Sequence, residues 1–230
     1  RTSFIQKVTM DKKEIKKRLK ELLKDKRYVH SLGVASVSRH LAETYGYADP
    51  DKAELAGLVH DCAKNLPLVE MQQLADEGRI PMDLALYNSK ALLHGPAGSV
   101  LARKLFGITD EEILSAVYYH TTGHPDMQLL EKIVFLADYI EPSRDFPGVD
   151  KARELAQIDI DSALLYCYDQ TLTELVARGK LIHSDTIAAY NDMIRQGVSG
   201  RDQYNGGRNR LKLFGGIGGR KNRTGARTPA

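Results

Sequence analysis

The chain has 230 residues, 42% of them hydrophobic, with 33 Lys+Arg against 30 Asp+Glu and a formal net charge of +3. That length can bury a real core, while two cysteines, Cys62 and Cys167, argue against a disulfide framework and suggest a reducing compartment, the cytoplasm. No apolar run approaches the roughly 18–20 residues needed to span a bilayer, and the opening RTSFIQKVTMDKKE has no hydrophobic signal core.

The charge is unevenly placed. From Gln196 onward eight Lys/Arg stand against one Asp, a net of +7, which leaves residues 1–195 at −4. The same stretch holds nine of the 19 glycines. Such a composition cannot bury enough apolar surface to offset its ordering entropy, so 196–230 reads as a disordered basic tail. A Gly/Arg tail can make weak contacts to RNA phosphates; a solvated extension without specific binding is the favoured reading. Met10 directly precedes the first helical pattern, so 1–10 reads as an N-terminal extension and 11–195 as one domain.

Helical spacing of apolar residues predicts a helix over 11–24, through Ile15, Leu19, Leu22 and Leu23. A second covers 27–45 and ends near Gly46. Asp49-Pro50 starts a third with an N-cap and a first-position proline, running to about Lys64. Pro67 starts a fourth, ended by Gly78. Another covers 96–106, bounded by Gly107. Thr109 with Glu112 reads as a capping box for a helix reaching about His120. Further helices are expected over 127–141, stopped at Glu141-Pro142, over 160–178, ended by Gly179, and over 184–195. No segment alternates as a strand does and no repeat is evident. The expected fold class is therefore all-α, a multi-helix bundle.

Residues able to ligate metal recur in a definite order, His30 in RYVHSLGV, His60-Asp61 in LVHDCAKNLP, His94 in LLHGP, His120 in YYHTTGH and Asp138 in FLADYIEPSR, with His30, His60-Asp61 and Asp138 on or near the ends of apolar helices. A buried polar side chain must find a partner, and convergence on metal would satisfy all of them. Imidazole and carboxylate suit iron, manganese or cobalt, and a thiolate from Cys62 is not needed. Neighbouring helix residues diverge by about 100°, so His60-Asp61 suits two adjacent ions. In a dinuclear centre Asp61 would bridge, with His30, His60 and Asp138 on one ion and His94 and His120 on the other. His124 is the alternative to His120. His40 has no motif around it and reads as surface or supporting. Two metals would activate water against phosphorus without a nucleophilic side chain, and no glycine-rich phosphate loop is present. Lys64, Arg27 and Arg144 each lie a few residues from a candidate ligand and read as phosphate-binding cations, Lys64 also as a catalytic charge donor. His183 and Thr186 sit at the start of the last helix, where anions are favoured; Ser184 or Asp185 is expected to cap it.

In this order, these motifs resemble the YqeK-type branch of the HD-domain superfamily, over roughly residues 11–195. The resemblance implies symmetrical cleavage of diadenosine tetraphosphate and related dinucleoside polyphosphates into two ADP. It implies metal ligands, commonly for iron, at His30, His60, Asp61, His94 and Asp138. It also implies nucleotide contacts at Arg27, at Lys64, Asn65, Leu66 and Pro67, at His120 and Thr121, at Arg144, and across His183, Ser184, Asp185 and Thr186. His120 is then either ligand or substrate contact. A homodimer is compatible with the sequence. The competing readings are an HD phosphohydrolase of another nucleotide, such as a guanosine polyphosphate or a dNTP, and a non-catalytic nucleotide- or RNA-binding module.

Overall fold

The structure, a computed structural model, describes residues 10–81 and 83–198. Residues 1–9 of the expected extension, and the expected tail from residue 199 with its RNA contact, lie outside the described residues.

Among the described residues every regular element is an α-helix: α1 (Lys12–Leu22), α2 (Asp25–Thr44), α3 (Pro50–Val59), α4 (Leu68–Glu77), α5 (Leu84–Tyr87), α6 (Lys90–Phe106), α7 (Glu111–Tyr119), α8 (Leu129–Ile140), α9 (Val149–Leu155), α10 (Ile160–Ala177) and α11 (Ser184–Arg195). None is long and apolar enough to cross a membrane. The all-α expectation holds. The N-terminal amides of several helices, orphaned by geometry, are met by short polar side chains. Asp11, Asp49, Asp83, Ser89, Asp110 and Asp159 each accept a backbone N–H from the following turn.

Four boundaries differ from the sequence reading, each for a local reason. Asp110, not Thr109, caps α7, accepting from the amides of Glu112 and Ile113. Glu112 instead accepts from Lys52 and from the Tyr47 hydroxyl; the reciprocal box is formed by Gln128 and Glu131 on α8. α6 begins at Lys90 rather than 96, because Ser89 caps it and Pro96 is carried inside the helix. α3 stops at Val59, and residues 60–65 continue in tighter turns, bonded Cys62 N to Val59 O (3.0 Å) and Lys64 N to Asp61 O (2.9 Å). The cap of α11 is the His183 side chain, which accepts from Asp185 N at 3.3 Å, rather than Ser184 or Asp185. The short α5 and α9 were not expected.

The main core draws Leu19, Leu41, Leu58, Val117, Ile133, Leu136 and Leu164 from six helices. A smaller cluster of Ala63, Met71, Leu74, Leu86, Leu93 and Ala97 fastens α4 and α5 to α6. Two glycines set how closely the central helices approach. A Cβ on Gly57 would meet Ser38 Oγ at 2.4 Å and the Val34 carbonyl at 3.0 Å, so α3 rests nearly backbone to backbone on α2. A Cβ on Gly95 would lie 2.6 Å from the Tyr118 carbonyl. That contact between α6 and α7 brings the next-door His94 to the end of α7.

Candidate active site

Five helices point one or two polar side chains each into the middle of the bundle. His30 comes from the second turn of α2, His60 closes the C-terminus of α3, and Asp61 follows in the tight turn. His94 comes from α6, His120 closes α7, and Asp138 lies in the last turn of α8. The four histidines and Asp61 are buried. All six sequence-predicted ligands are therefore brought together.

Asp61 stands at the centre, and its two oxygens have different neighbours. Its Oδ2 lies 3.4 Å from His60 Nε2 and 3.8 Å from His30 Nε2. Asp138 Oδ1 joins that side, 3.0 Å from His30 Nε2 and 3.7 Å from His60 Nε2. Asp61 Oδ1 lies 3.1 Å from His94 Nε2 and 3.5 Å from His120 Nε2. Two groups have ligand atoms close enough to share one ion: His30, His60 and Asp138, and His60, Asp61 and His120.

The donor atoms are also turned the right way. His60 Nδ1 donates to the Gly57 carbonyl and His120 Nδ1 to the Val117 carbonyl, each at 2.7 Å. A carbonyl can only accept, so the proton sits on Nδ1 and the Nε2 lone pair faces the centre. His30 Nδ1 is held by Glu141 Oε1 at 2.9 Å, leaving its Nε2 inward. His30 Nε2, His60 Nε2 and Asp61 Oδ1 are buried with no hydrogen-bond partner. Leaving such atoms unpaired is costly, and a divalent cation satisfies all three, so this donor set fits a metal.

Burial alone would raise the Asp61 and Asp138 carboxyls. The surrounding imidazoles, with Arg144 for Asp138, outweigh it and hold both well below the usual carboxylate range. Burial lowers His94 to about 4, against the pull of Asp61, so it stays neutral and able to ligate. Lys64 is pulled down by burial, with Asp61 and Asp138 opposing.

The cations predicted to take phosphate surround this centre. Arg27 donates to Asp61 Oδ2 at 2.8 Å. Arg144 donates through Nε to the Asp138 carbonyl at 2.8 Å and through a terminal nitrogen to Asp138 Oδ1. Lys64 Nζ sits 2.9 Å from His94 Nε2 and 3.7 Å from Asp61 Oδ1. Thr121 Oγ1 is 3.3 Å from His94 Nε2 and 3.2 Å from His120 Nε2.

Other predicted contacts have structural attachments. Asn65 Oδ1 accepts from the Lys24 amide at 2.9 Å, Leu66 packs on the smaller apolar cluster, and Pro67 is the exposed N-cap position of α4. His183 is buried and Thr186 with it, while Ser184 is exposed. His183 Nε2 lies 3.9 Å from Asp83 Oδ2, and its Nδ1 faces Asp185 at the start of α11. His124 bonds Glu131 Oε2 at 2.9 Å and stacks on Tyr119 instead of entering the centre, which favours His120 of the pair. His40 is exposed, and Cys62 is a buried thiol donating to the Gly98 carbonyl.

Sequence reasoning missed Glu141. It read as the residue that stops α8 before Pro142, yet it is buried and accepts from His30 Nδ1, from Ser143 N at 2.8 Å and from Ser143 Oγ. Gly33 makes room for it: a Cβ there would lie 2.7 Å from Glu141 Oε2. The available signal was chemical, since a ligating histidine needs an acceptor for its other nitrogen.

The HD domain matches residues 27–143, the span from Arg27 through Ser143 that holds every candidate ligand named above. The chain belongs to the HD-domain family. It is 40% identical over 185 residues to the symmetrical bis(5′-nucleosyl)-tetraphosphatase of Bacillus subtilis, covering 80% of this chain and 98% of that protein. With the protein of the same description from Halalkalibacterium halodurans it shares 44% identity over 176 residues, covering 76% and 93%. A crystal structure described as a predicted HD superfamily hydrolase involved in NAD metabolism, from Clostridium acetobutylicum, matches with a TM-score of 0.80 at 42% identity. The match covers 82% of this chain and 100% of that one. Within the HD-domain family the chain falls in the YqeK-type branch of symmetrical bis(5′-nucleosyl)-tetraphosphatases.

Proposed function

We propose that this protein hydrolyses diadenosine tetraphosphate symmetrically to two ADP at a dinuclear divalent-metal centre. The relatives' activity supports the substrate. One observation carries the centre: a single buried carboxylate, Asp61, offers one oxygen to His30 and His60 and the other to His94 and His120. His30, His60, Asp138 and Asp61 Oδ2 would hold one ion, and His94, His120 and Asp61 Oδ1 the second. Iron fits this oxygen and nitrogen set, as do manganese and cobalt.

When bound, such a pair of ions supplies Lewis-acid activation of water and neutralises charge on phosphoryl oxygens. The rest falls to the chain's own residues. Water adds to one central phosphorus and the anhydride oxygen departs with the other ADP. Arg27 and Arg144 present guanidinium donors on the Oδ2 side, while each is anchored to a ligand carboxylate. Lys64, between Asp61 and His94, places positive charge where the phosphoryl oxygens gather it. Thr121 offers a hydroxyl beside His94 and His120. No side-chain nucleophile is needed, and Cys62 is unsuited to be one, since burial raises its thiol far above neutrality.

The test is product analysis of metal-analysed protein incubated with diadenosine tetraphosphate. ADP alone, at a rate that tracks metal content, is the expected result. AMP plus ATP would overturn the cleavage position. Absence of turnover in protein that retains its metal would overturn the reading.

A further inference from the structure

The centre has two faces, and the proposed substrate has two halves. On the Asp61 Oδ1 face lie Lys64, His94, His120 and Thr121. On the Oδ2 face lie His30, Asp138, Arg27 and Arg144. The second face opens into a cavity of about 400 Å³ lined by Lys24, Lys26, Arg27, Asn65, Arg144 and Phe146, among others. That volume is within the range of small-molecule sites.

We infer that this cavity seats the second ADP half of the substrate, with Lys24, Lys26 and Phe146 recognising it; the inference rests on the proposed hydrolysis of diadenosine tetraphosphate. If the central anhydride sits at Asp61, the two ADP halves must leave in opposite directions. A cleft that gripped only one half would let the polyphosphate slip by one phosphate and yield AMP and ATP. A seat for each nucleoside fixes the register and makes the cut symmetrical.

The lining suits that role. Lys24 and Lys26 are exposed, and neither is ion-paired among the described residues. The Lys24 backbone is pinned at the cavity mouth by Asn65 Oδ1 at 2.9 Å. Arg27 and Arg144 are fixed at one end on Asp61 and Asp138, so they reach from the centre to the cavity as stationary cations. Two acids also line it: Glu141 is already committed to His30 and Ser143, and the exposed Asp145 leaves the cations Lys24, Lys26, Arg27 and Arg144 three in excess of it. Phe146 stands at right angles to Tyr139, ring centroids 5.0 Å apart, and supplies an apolar wall of the kind on which a base can rest. Phosphate contacts from cations next to an aromatic wall match a nucleoside diphosphate.

The test is equilibrium dialysis of ADP against the metal-loaded full chain, with steady-state kinetics alongside. Wild-type protein should bind two ADP per chain. The variant carrying Lys24→Ala and Lys26→Ala should bind one, and its KM for diadenosine tetraphosphate should rise roughly tenfold with little change in kcat. Phe146→Ala should raise KM on the same order through lost stacking and release some AMP and ATP. A single ADP on wild-type protein, or an unchanged KM in the lysine variant, would overturn the subsite while leaving the hydrolase intact. Failure of wild-type protein to cleave the substrate would defeat the underlying reading instead. Both lysines are exposed, so the double variant should keep the wild-type melting temperature and its KM stays interpretable.

Discussion

Glu141 offers the sharpest test of how the centre is held. Its carboxylate takes three hydrogen bonds, one from His30 Nδ1 at 2.9 Å, one from the Ser143 amide and one from the Ser143 hydroxyl. Burial raises this carboxyl, but these donors more than offset it, so the group is ionised in the fold. An anionic acceptor makes the His30 bond roughly twice as strong as a neutral one would and increases the basicity of Nε2. Glu141→Gln keeps the shape and loses the charge, which should weaken metal binding about fivefold, or ~1 kcal/mol. Glu141→Ala removes the acceptor and frees the His30 ring. Loss of such a partner typically costs 10–100-fold in metal affinity, about 1.4–2.7 kcal/mol. It also leaves the His30 Nδ1–H buried and unpaired, a further cost of about 1–3 kcal/mol in stability. Metal affinity by chelator competition and thermal melting of metal-free protein separate the two effects. An alanine variant that melts lower but binds metal as tightly as wild type would show that Glu141 supports the fold without tuning His30.

Three substitutions probe other parts of the site. Asp61→Asn should abolish turnover and weaken metal retention, because an amide cannot serve both faces as an anion; full activity would sink the bridging role, with metal content measured on the same sample. Lys64→Ala should lower kcat on the order of 10²-fold while elemental analysis finds metal content unchanged; metal loss would mark it as structural. Gly95→Ala forces a methyl to within 2.6 Å of the Tyr118 carbonyl, where neither backbone can swing aside. Overpacking of about 1–3 kcal/mol should lower the melting temperature by roughly 2–12 °C, and an unshifted melt would mean that α6 and α7 do not touch as described.

Much of the candidate centre could be read without coordinates because several of its residues are polar groups on or at the end of otherwise apolar helices. His30 and Asp138 stand out for that reason, and His60-Asp61 by adjacency. What escaped the sequence reading depended on geometry between elements. The helix expected over 96–106 begins six residues earlier, at Lys90 behind the Ser89 cap, and so carries His94. Thr109 and Glu112 have the spacing of a capping box, but Lys52 of α3 and Tyr47 of the connection before it claim Glu112. Glu141 was masked by the proline after it. The opening cavity beside Arg27 depends on how α2 and the chain after α8 lie together, which no local pattern encodes.

His60 and His120 solve the same problem in the same way. Each ends its helix, and each gives its Nδ1 proton to the carbonyl three residues back, Gly57 and Val117, at 2.7 Å. Helix C-termini leave carbonyls without intrahelical donors, so one bond both completes the helix and fixes the tautomer that aims Nε2 inward. These two rings therefore stabilise the protein before any metal arrives. His94 differs: its ring contacts are Lys64, Asp61, His120 and Thr121, all at the centre. In metal-free protein His120→Ala should accordingly lose about 1 kcal/mol more stability than His94→Ala, or a melting point lower by roughly 2–4 °C. Both substitutions empty a similar buried volume, so the cavity cost cancels in the comparison. Equal melting points would mean that the Val117 bond adds nothing to the fold and that the ring orientation of His120 is set by the metal alone.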